Sequence, residues 1–404
     1  MQYLYSKYNT HYLKLTLFLM KMVSNYEIIA KKMGTPWSEE MEKILTTLFS
    51  PEEAEILVLF SGPYLDRFTA QKIAKKLKRP IEEIEPIMKE MARTQRLFSA
   101  TRNDETTYSM FPLIPGLFEL YFSNHERALA EEEETLKLFA EEYEKYYNKG
   151  HVTNTMSSSY PFMRVFIDQK AVDDTVTRGK GNLIEVNQEV ELLKNKILPF
   201  DQVKNLVEKS RRVSVMDCAC RTHMKIENDG IPVNEYPINV CMNFNTFADY
   251  CIENGFGREL SKEEALKTLT AAAKAGLVHT TQNITDKTTF ICNCDRDCCV
   301  MLRGIRQFND PNLVATSNFL PEYEKDNCIF CLTCTEICPM QVIELIDEDS
   351  EEQRISINTD RCIGCGVCAF NCPEEALTMV KRFDKVPVEN MTQMMTKYIQ
   401  GRTN

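Results

Sequence analysis

Sixteen cysteines stand in this chain of 404 residues, and the first 217 residues hold none of them. The segment ICNCDRDCC, residues 291–299, places Cys292, Cys294, Cys298 and Cys299 within eight positions. Residues 328–339 read CIFCLTCTEICP, and residues 362–373 read CIGCGVCAFNCP. Cys218, Cys220, Cys241 and Cys251 are more widely spread. A thiolate is a nucleophile, a redox partner for a second thiol, and a ligand for soft metals. Disulfide frameworks belong to short secreted chains, whereas this chain is long and its cysteine spacings are metal-like. The expectation is metal ligation in a reducing, oxygen-poor cytoplasm.

The two later runs share the spacing C-x2-C-x2-C-x3-C-P, with 23 residues between the last Cys of the first and the first Cys of the second. This pattern resembles the bacterial two-cluster ferredoxins, in which the fourth cysteine of each run ligates the other cluster. The short spacing lets three thiolates of one turn converge on one cube. The resemblance implies that Cys328, Cys331, Cys334 and Cys372 hold one [4Fe–4S] cluster. Cys362, Cys365, Cys368 and Cys338 would hold the other. Gly364 and Gly366 are expected to let the backbone bend close to the sulfurs. Zinc at these eight thiols is the alternative, and two full matches in tandem outweigh it. Fourteen acids face six bases between Glu322 and Lys385, a net charge of −8. An acidic face suits a basic redox partner protein, and the clusters are expected to be low-potential one-electron carriers.

The earlier cysteines leave more options open. Cys-x-Cys pairs from two distant segments can meet at one metal, and the most economical set is Cys218, Cys220, Cys292 and Cys294. Cys241, Cys298 and Cys299 compete with them for the metal. A third iron–sulfur cluster, a structural zinc, and a thiol–disulfide pair at Cys298–Cys299 are all compatible with such thiols. Cys251, in the apolar context FADYCI, reads as a small buried hydrophobe. The region also resembles an uncharacterised family of 4Fe-4S dicluster ferredoxin-like proteins from anaerobic bacteria and archaea. The matching residues are Cys218, Cys220, Arg221, the run Gly276 to Thr280, Asn283, Cys292, Asn293, Cys294, Cys298 and Cys299. The resemblance covers roughly residues 205–382 and implies an organisation rather than a reaction. Where that family often carries further cysteines, this chain has Asp295 and Asp297, so the ligand set stays open. Arg221 is placed to lower thiolate pKa values or balance a cluster's charge, with a surface salt bridge as the plainer role. His279 reads as a structural histidine, a ligand, a proton donor, or a charge partner for the helix end.

These residues need elements to position them. VSVMDCACR, residues 213–221, predicts a buried strand running into Cys218 and Cys220. ELSKEEALKTLTAAAKAGLVH predicts a helix with a Ser261/Glu264 capping box, ended by Gly276. Further upstream, SPEEAEILVLF, FTAQKIAKKLKR and PIEEIEPIMKEMARTQ predict three helices, with Ser50 as N-cap of the first and Pro86 interrupting the third. LFSA, the turn TRNDET and TYSMF predict a hairpin. Three helices and a hairpin resemble a winged helix-turn-helix. The third helix is net acidic, which weighs against DNA as a partner, while Lys72, Lys75, Lys76, Lys78 and Arg79 keep DNA in view. Residues 127–150 predict a charged amphipathic helix, and residues 187–196 a further helical stretch.

The expected fold class is an α+β multidomain chain. It would comprise an N-terminal extension and helix (1–45), a winged-helix-like domain (46–125) and a helical connector (126–205). A mixed cysteine-rich metal or redox domain (206–321), a two-cluster ferredoxin domain (322–385) and a helical tail (386–404) would follow. No apolar run approaches the roughly 20 residues of a membrane span. Translation is expected to start at Met20 or Met22, because a normal helical start follows and YLKLTLFLM, interrupted by Lys14, lacks a cleavage site. The net charge of −11 excludes a chain that seeks anions as a whole. No phosphate-cradling glycine loop is present, while flavin stays open. The expected function is iron–sulfur electron transfer through two [4Fe–4S] clusters to or from a third metal site, iron–sulfur or zinc, and a partner protein. A redox-sensing winged-helix transcription regulator is one alternative. An oxidoreductase or reductive activator with an open middle cluster, its small-molecule substrate unspecified, is the other.

Overall fold

The computed structural model describes residues 24–168, 171, 203–348, 350 and 352–402. The proposed start at Met20 or Met22 and the helical stretch at 187–196 lie outside the described residues. The chain divides into two compact units. One comprises Met1–Leu117 with Glu132–His151, and the other Phe118–Glu131 with Val152–Asn404.

The first unit begins with helices α1 (Asn25–Met33), α2 (Glu39–Leu48), α3 (Pro51–Leu57), α4 (Ala70–Leu77) and α5 (Ile81–Arg93). The starts are set by side chains that accept orphan backbone N–H groups. Ser38 Oγ accepts from Met41 N and Thr69 Oγ1 from Lys72 N. Ser50 and Glu53 form a full capping box on α3. Pro86 sits inside α5, and Pro80 precedes the helix as its N-cap. Strands β1 (Phe98–Arg102) and β2 (Glu105–Ser109) pair antiparallel. The turn is tighter than the expected TRNDET, because Asn103 and Asp104 both take left-handed φ, 49° and 64°. That is the backbone of a two-residue hairpin turn, so the strands run right up to it.

Helix α6 (Glu133–Asn148) belongs to this first unit, where it packs against α2. It buries Leu136, Phe139, Ala140, Tyr143, Tyr146 and Tyr147. The charge-rich sequence placed it in a connector. Its aromatic stripe makes it part of a core instead, since burying one such side chain is worth about 2 kcal/mol.

The second unit is built on a seven-stranded sheet of order β6-β4-β5-β8-β7-β3-β9. Its strands are β3 (Met163–Val165), β4 (Val213–Asp217), β5 (Asn239–Phe244), β6 (Arg258–Leu260), β7 (Val278–Gln282), β8 (Phe290–Cys294) and β9 (Val314–Ala315). All neighbours are antiparallel except β3 and β9. Helices α7 (Ala219–Glu227), α8 (Thr246–Glu253), α9 (Lys262–Lys274) and α10 (Val300–Phe308) connect them. Helix α9 starts at the expected Ser261/Glu264 box, and Gly276, at φ 88°, turns the chain into β7. One sheet face carries Val213, Val215, Met242, Phe244 and Ile291, packed with Ala265 and Leu269 of α9.

The C-terminal part of this unit has two small antiparallel pairs. β10 (Phe319–Tyr323) pairs with β13 (Leu377–Lys381), and β11 (Ile343–Ile346) with β12 (Arg354–Ile357). Short helices α11 (Thr333–Ile337) and α12 (Val367–Phe370) lie between them in the chain. The tail helix α13 (Met391–Arg402) buries Met394 and Tyr398, and Tyr398 Oη donates to Thr155 O at 2.5 Å. Among the described residues no helix is long and apolar enough to cross a membrane.

Candidate metal centres

Two cavities open between the small strand pairs. Cys328, Cys331, Cys334 and Cys372 line the first, with Ile329, Phe330 and Leu332, around about 370 Å³ of atom-free space that reaches solvent. Cys338, Cys362, Cys365 and Cys368 line the second, with Pro339, Ile363 and Met379, around about 350 Å³. Each cavity thus takes three sulfurs from one run and the fourth from the other. A left-handed residue makes each turn close on its first cysteine. Gly364 and Gly366 take φ 70° and 74°. Phe330 and Leu332 occupy the same two places in the first run, at φ 55° and 62°. In consequence Gly364 N donates to Cys362 Sγ and Phe330 N to Cys328 Sγ, both at 3.4 Å.

The two cavities differ in exposure. Cys331 is exposed, and the Thr333 hydroxyl beside it lowers its pKa. Cys338 and Cys368 are buried, and burial pushes the Cys365 and Cys368 thiols up. Two four-sulfur cavities with exchanged fourth cysteines are the frame of a dicluster protein.

Residues 327–393 match the 4Fe-4S dicluster domain. No curated protein matches the chain. The dicluster domain carries the iron–sulfur and electron-transfer character expected from the two runs.

The other cysteines meet on the large sheet. Side chains alternate across a sheet, so Cys292 and Cys294 share the face of β8 opposite Ile291 and its core. Cys241 of β5 lies one step beyond the Met242–Ile291 pair and meets Cys292. Strand β4 ends at Asp217, and Cys218 then caps α7, with Cys220 in its first turn. Cys299 caps α10. Each thiol shifts its neighbours' pKa: Cys218 and Cys220, Cys220 and Cys299, and Cys299 and Cys294. Cys294 and Cys292, Cys292 and Cys241, and Cys241 and Cys218 do the same and complete a ring of six neighbours. Cys220 and Cys292 are half-buried and the other four are buried.

Charge in the ring is uneven. Cys218 accepts from Cys220 and Cys241, and its pKa falls well below the usual thiol value. Cys299 accepts from Cys220 and Cys294 and falls likewise. These two are the helix-capping thiols, where the dipole and free N–H groups favour a thiolate. Their donors are pushed up in return, as is Cys292 by its bond to Cys241.

Cys298 and Cys251 stay outside the ring. The nearest polar neighbours of Cys298 are Asp295 and Asn234, whose Nδ2 is 3.8 Å from its sulfur. Cys251 is buried on α8 beside Ser214, and burial pushes its thiol up, as a packing cysteine requires. Asp295 is no part of the ring. Its Oδ1 accepts from Asp297 N and Cys298 N at 2.8 and 2.7 Å, shaping the turn into α10. Its Oδ2 is 3.3 Å from Arg221 Nη1.

Arg221 is not on the surface. It is buried, 6% exposed, and its Nη1 also donates to Asn293 O at 3.2 Å. Burial opposes its charge, but Cys218, Cys241 and Asp295 outweigh burial and hold the guanidinium protonated. His279 sits across the sheet from the thiols, because it pairs in register with Asn293 while Val278 and Thr280 pair with Cys294 and Cys292. Its Nδ1 meets Asn293 Oδ1 at 2.6 Å, and burial lowers its pKa. Asn293 Nδ2 donates to Val240 O, so the imidazole must be the donor, neutral with its proton on Nδ1. That makes His279 structural and removes it as a ligand to the ring.

Sequence reasoning missed one contact. Arg296 Nη1, between Cys294 and Cys298, donates to Glu336 O at 2.8 Å, between Cys334 and Cys338. A lone arginine between two acids gives no sequence signal for that bond.

Proposed function

We propose that this protein is an iron–sulfur electron carrier with three linked centres, working in a reducing compartment. Cys328, Cys331, Cys334 and Cys372 hold one [4Fe–4S] cluster, and Cys362, Cys365, Cys368 and Cys338 the other. Each cluster exchanges one electron at a time when bound. The protein's residues set where and how easily this occurs. Backbone N–H groups of Phe330 and Gly364 stabilise charge on the sulfurs they face. The solvent-side cavity, with exposed Cys331, faces the partner. Exposed Glu322, Glu324, Asp326, Glu336 and Glu374 offer a basic partner an acidic docking face.

The middle thiols, among the candidates Cys218, Cys220, Cys241, Cys292, Cys294, Cys298 and Cys299, hold a third metal or redox site where electrons enter or leave. The observation that carries this reading is the direct hydrogen bond of Arg296 to Glu336 O, which ties the two cysteine-bearing segments together. Anaerobic reduction with dithionite, followed by paramagnetic resonance and iron counting, tests it. The expected result is about eight iron from the dicluster domain and two interacting paramagnetic centres. Iron-loaded protein that takes up no electrons would sink the reading.

A second reading has one observation in its favour. The first unit orders three helices before a hairpin, and α4 exposes Lys72, Lys75, Lys76 and, just beyond it, Lys78. A redox-sensing winged-helix regulator would use that face on DNA. Titration of the full chain against random and genomic duplexes in both redox states decides it, and no salt-dependent binding in either state removes it.

A further inference from the structure

We propose that Cys218, Cys220, Cys241, Cys292, Cys294 and Cys299 form one ligand shell for a polynuclear centre of soft metal ions, with all six thiolates bound to it. This rests on the electron-carrier reading and specifies what its middle site holds. The register of β4, β5 and β8 and the starts of α7 and α10 gather all six cysteines in one place, and each shifts the pKa of two others, so no four stand apart as a set. A single tetrahedral ion uses four thiolates, and so does a lone four-iron cube. Either would leave two of these thiols packed against the site without a task. Two tetrahedral ions sharing a pair of thiolates use six, since two fours less the shared two is six. Two cubes joined through one shared sulfide also leave six iron positions for cysteine, two fours less one on each side.

Two further observations fit a multiply charged centre. The nine-residue helices α7 and α10 both begin at ring cysteines, which turns two positive helix ends on the site. Buried Arg221 has Nε and Nη2 without hydrogen-bond partners. An arginine so placed beside Cys218 and Cys241 is a counter-charge for a site with more negative charge than Asp295 leaves room for. Iron with sulfide and zinc share this thiolate chemistry, and the test separates them.

The full chain is purified anaerobically, and iron, zinc and acid-labile sulfide are counted per chain. X-ray absorption at the iron and zinc edges then reads the neighbours of the extra metal. Metal beyond the dicluster baseline of about eight iron is expected, either about two zinc or clearly more than four further iron with sulfide. A sulfur shell with a short metal–metal vector at the edge of the extra metal is expected with it. Single serine replacements at each of the six ring cysteines should remove at least half of that extra metal, while Cys298→Ser keeps all of it. A single zinc, one lone four-iron cube, no extra metal, or any ring variant that keeps the full extra metal overturns the proposal. Absorption on the unmutated chain decides even if a variant fails to fold. A missing dicluster baseline would instead refute the carrier reading, and the extra metal would still be counted.

Discussion

Three of the four sulfurs around each dicluster cavity come from seven consecutive residues, Cys328–Cys334 or Cys362–Cys368. The six sulfurs of the middle ring come instead from a β4–α7 corner, the middle of β5, the end of β8 and the cap of α10. The dicluster thiols line open cavities, whereas the ring thiols are mostly buried neighbours that shift one another's pKa. The dicluster sites are local objects, made by tight turns whose left-handed residues aim N–H groups at sulfur. The ring is a tertiary object, made by sheet register and by two helix starts that arrive at one place. A local site should tolerate damage elsewhere in the unit and fail at its own turns. A tertiary site should fail when its supports are removed.

Removing the buried charge beside the ring is the strongest way to break this comparison. Arg221→Ala leaves Asp295 buried without its cation and should cost about 4 kcal/mol in denaturant unfolding. The variant should lose the middle metal while keeping the dicluster iron. Equal loss of iron from both regions would show that they are not separate structural objects.

The turns supply the reverse test. A Cβ at Gly364 would collide with the carbonyl oxygen of Phe319 and the hydroxyl of Ser317, at φ 70°. Gly364→Ala should destabilise by about 3 kcal/mol and remove roughly one cluster's worth of iron, about four per chain, with the middle metal intact. Full retention of iron would mean that the turn is not what places Cys362 and Cys365.

Leu332→Gly sharpens the comparison with the smallest effect. Leu332 holds the left-handed place that Gly366 holds in the second run. Relief of its backbone strain and the added freedom of glycine in the unfolded chain oppose each other, so stability should stay within about 1 kcal/mol of wild type, with iron unchanged. A loss of cluster iron would show that the Leu332 side chain, not the backbone, shapes the first cavity.

Much of the scaffold was legible because its signals are short-range. The Ser261/Glu264 box, the Ser50 cap and the Gly276 stop each act within one helical turn, so a single sequence carries them. Helix α6 was assigned to a connector because its charges dominate its composition, and only the partner helix α2 shows which stripe is buried. Asp295 could be named as a departure from a cysteine-bearing pattern. Its work as partner of Arg221 depends on helix α7, 74 residues away in the chain.

By itself the sequence determined the dicluster module. The spacing of four cysteines and a proline sets which sulfurs one turn can bring together, and tight turns need no distant support. It also marked the middle region as a second concentration of thiols. Only the tertiary structure decided which of those thiols meet. Cys298 and Cys299 are neighbours in sequence, yet Cys299 joins the ring at a helix start and Cys298 does not. His279 matched the same family pattern as the cysteines, yet the two-residue period of β7 puts it on the far face. Strand register and helix entry are set by the packing of the whole sheet, and no local spacing encodes them.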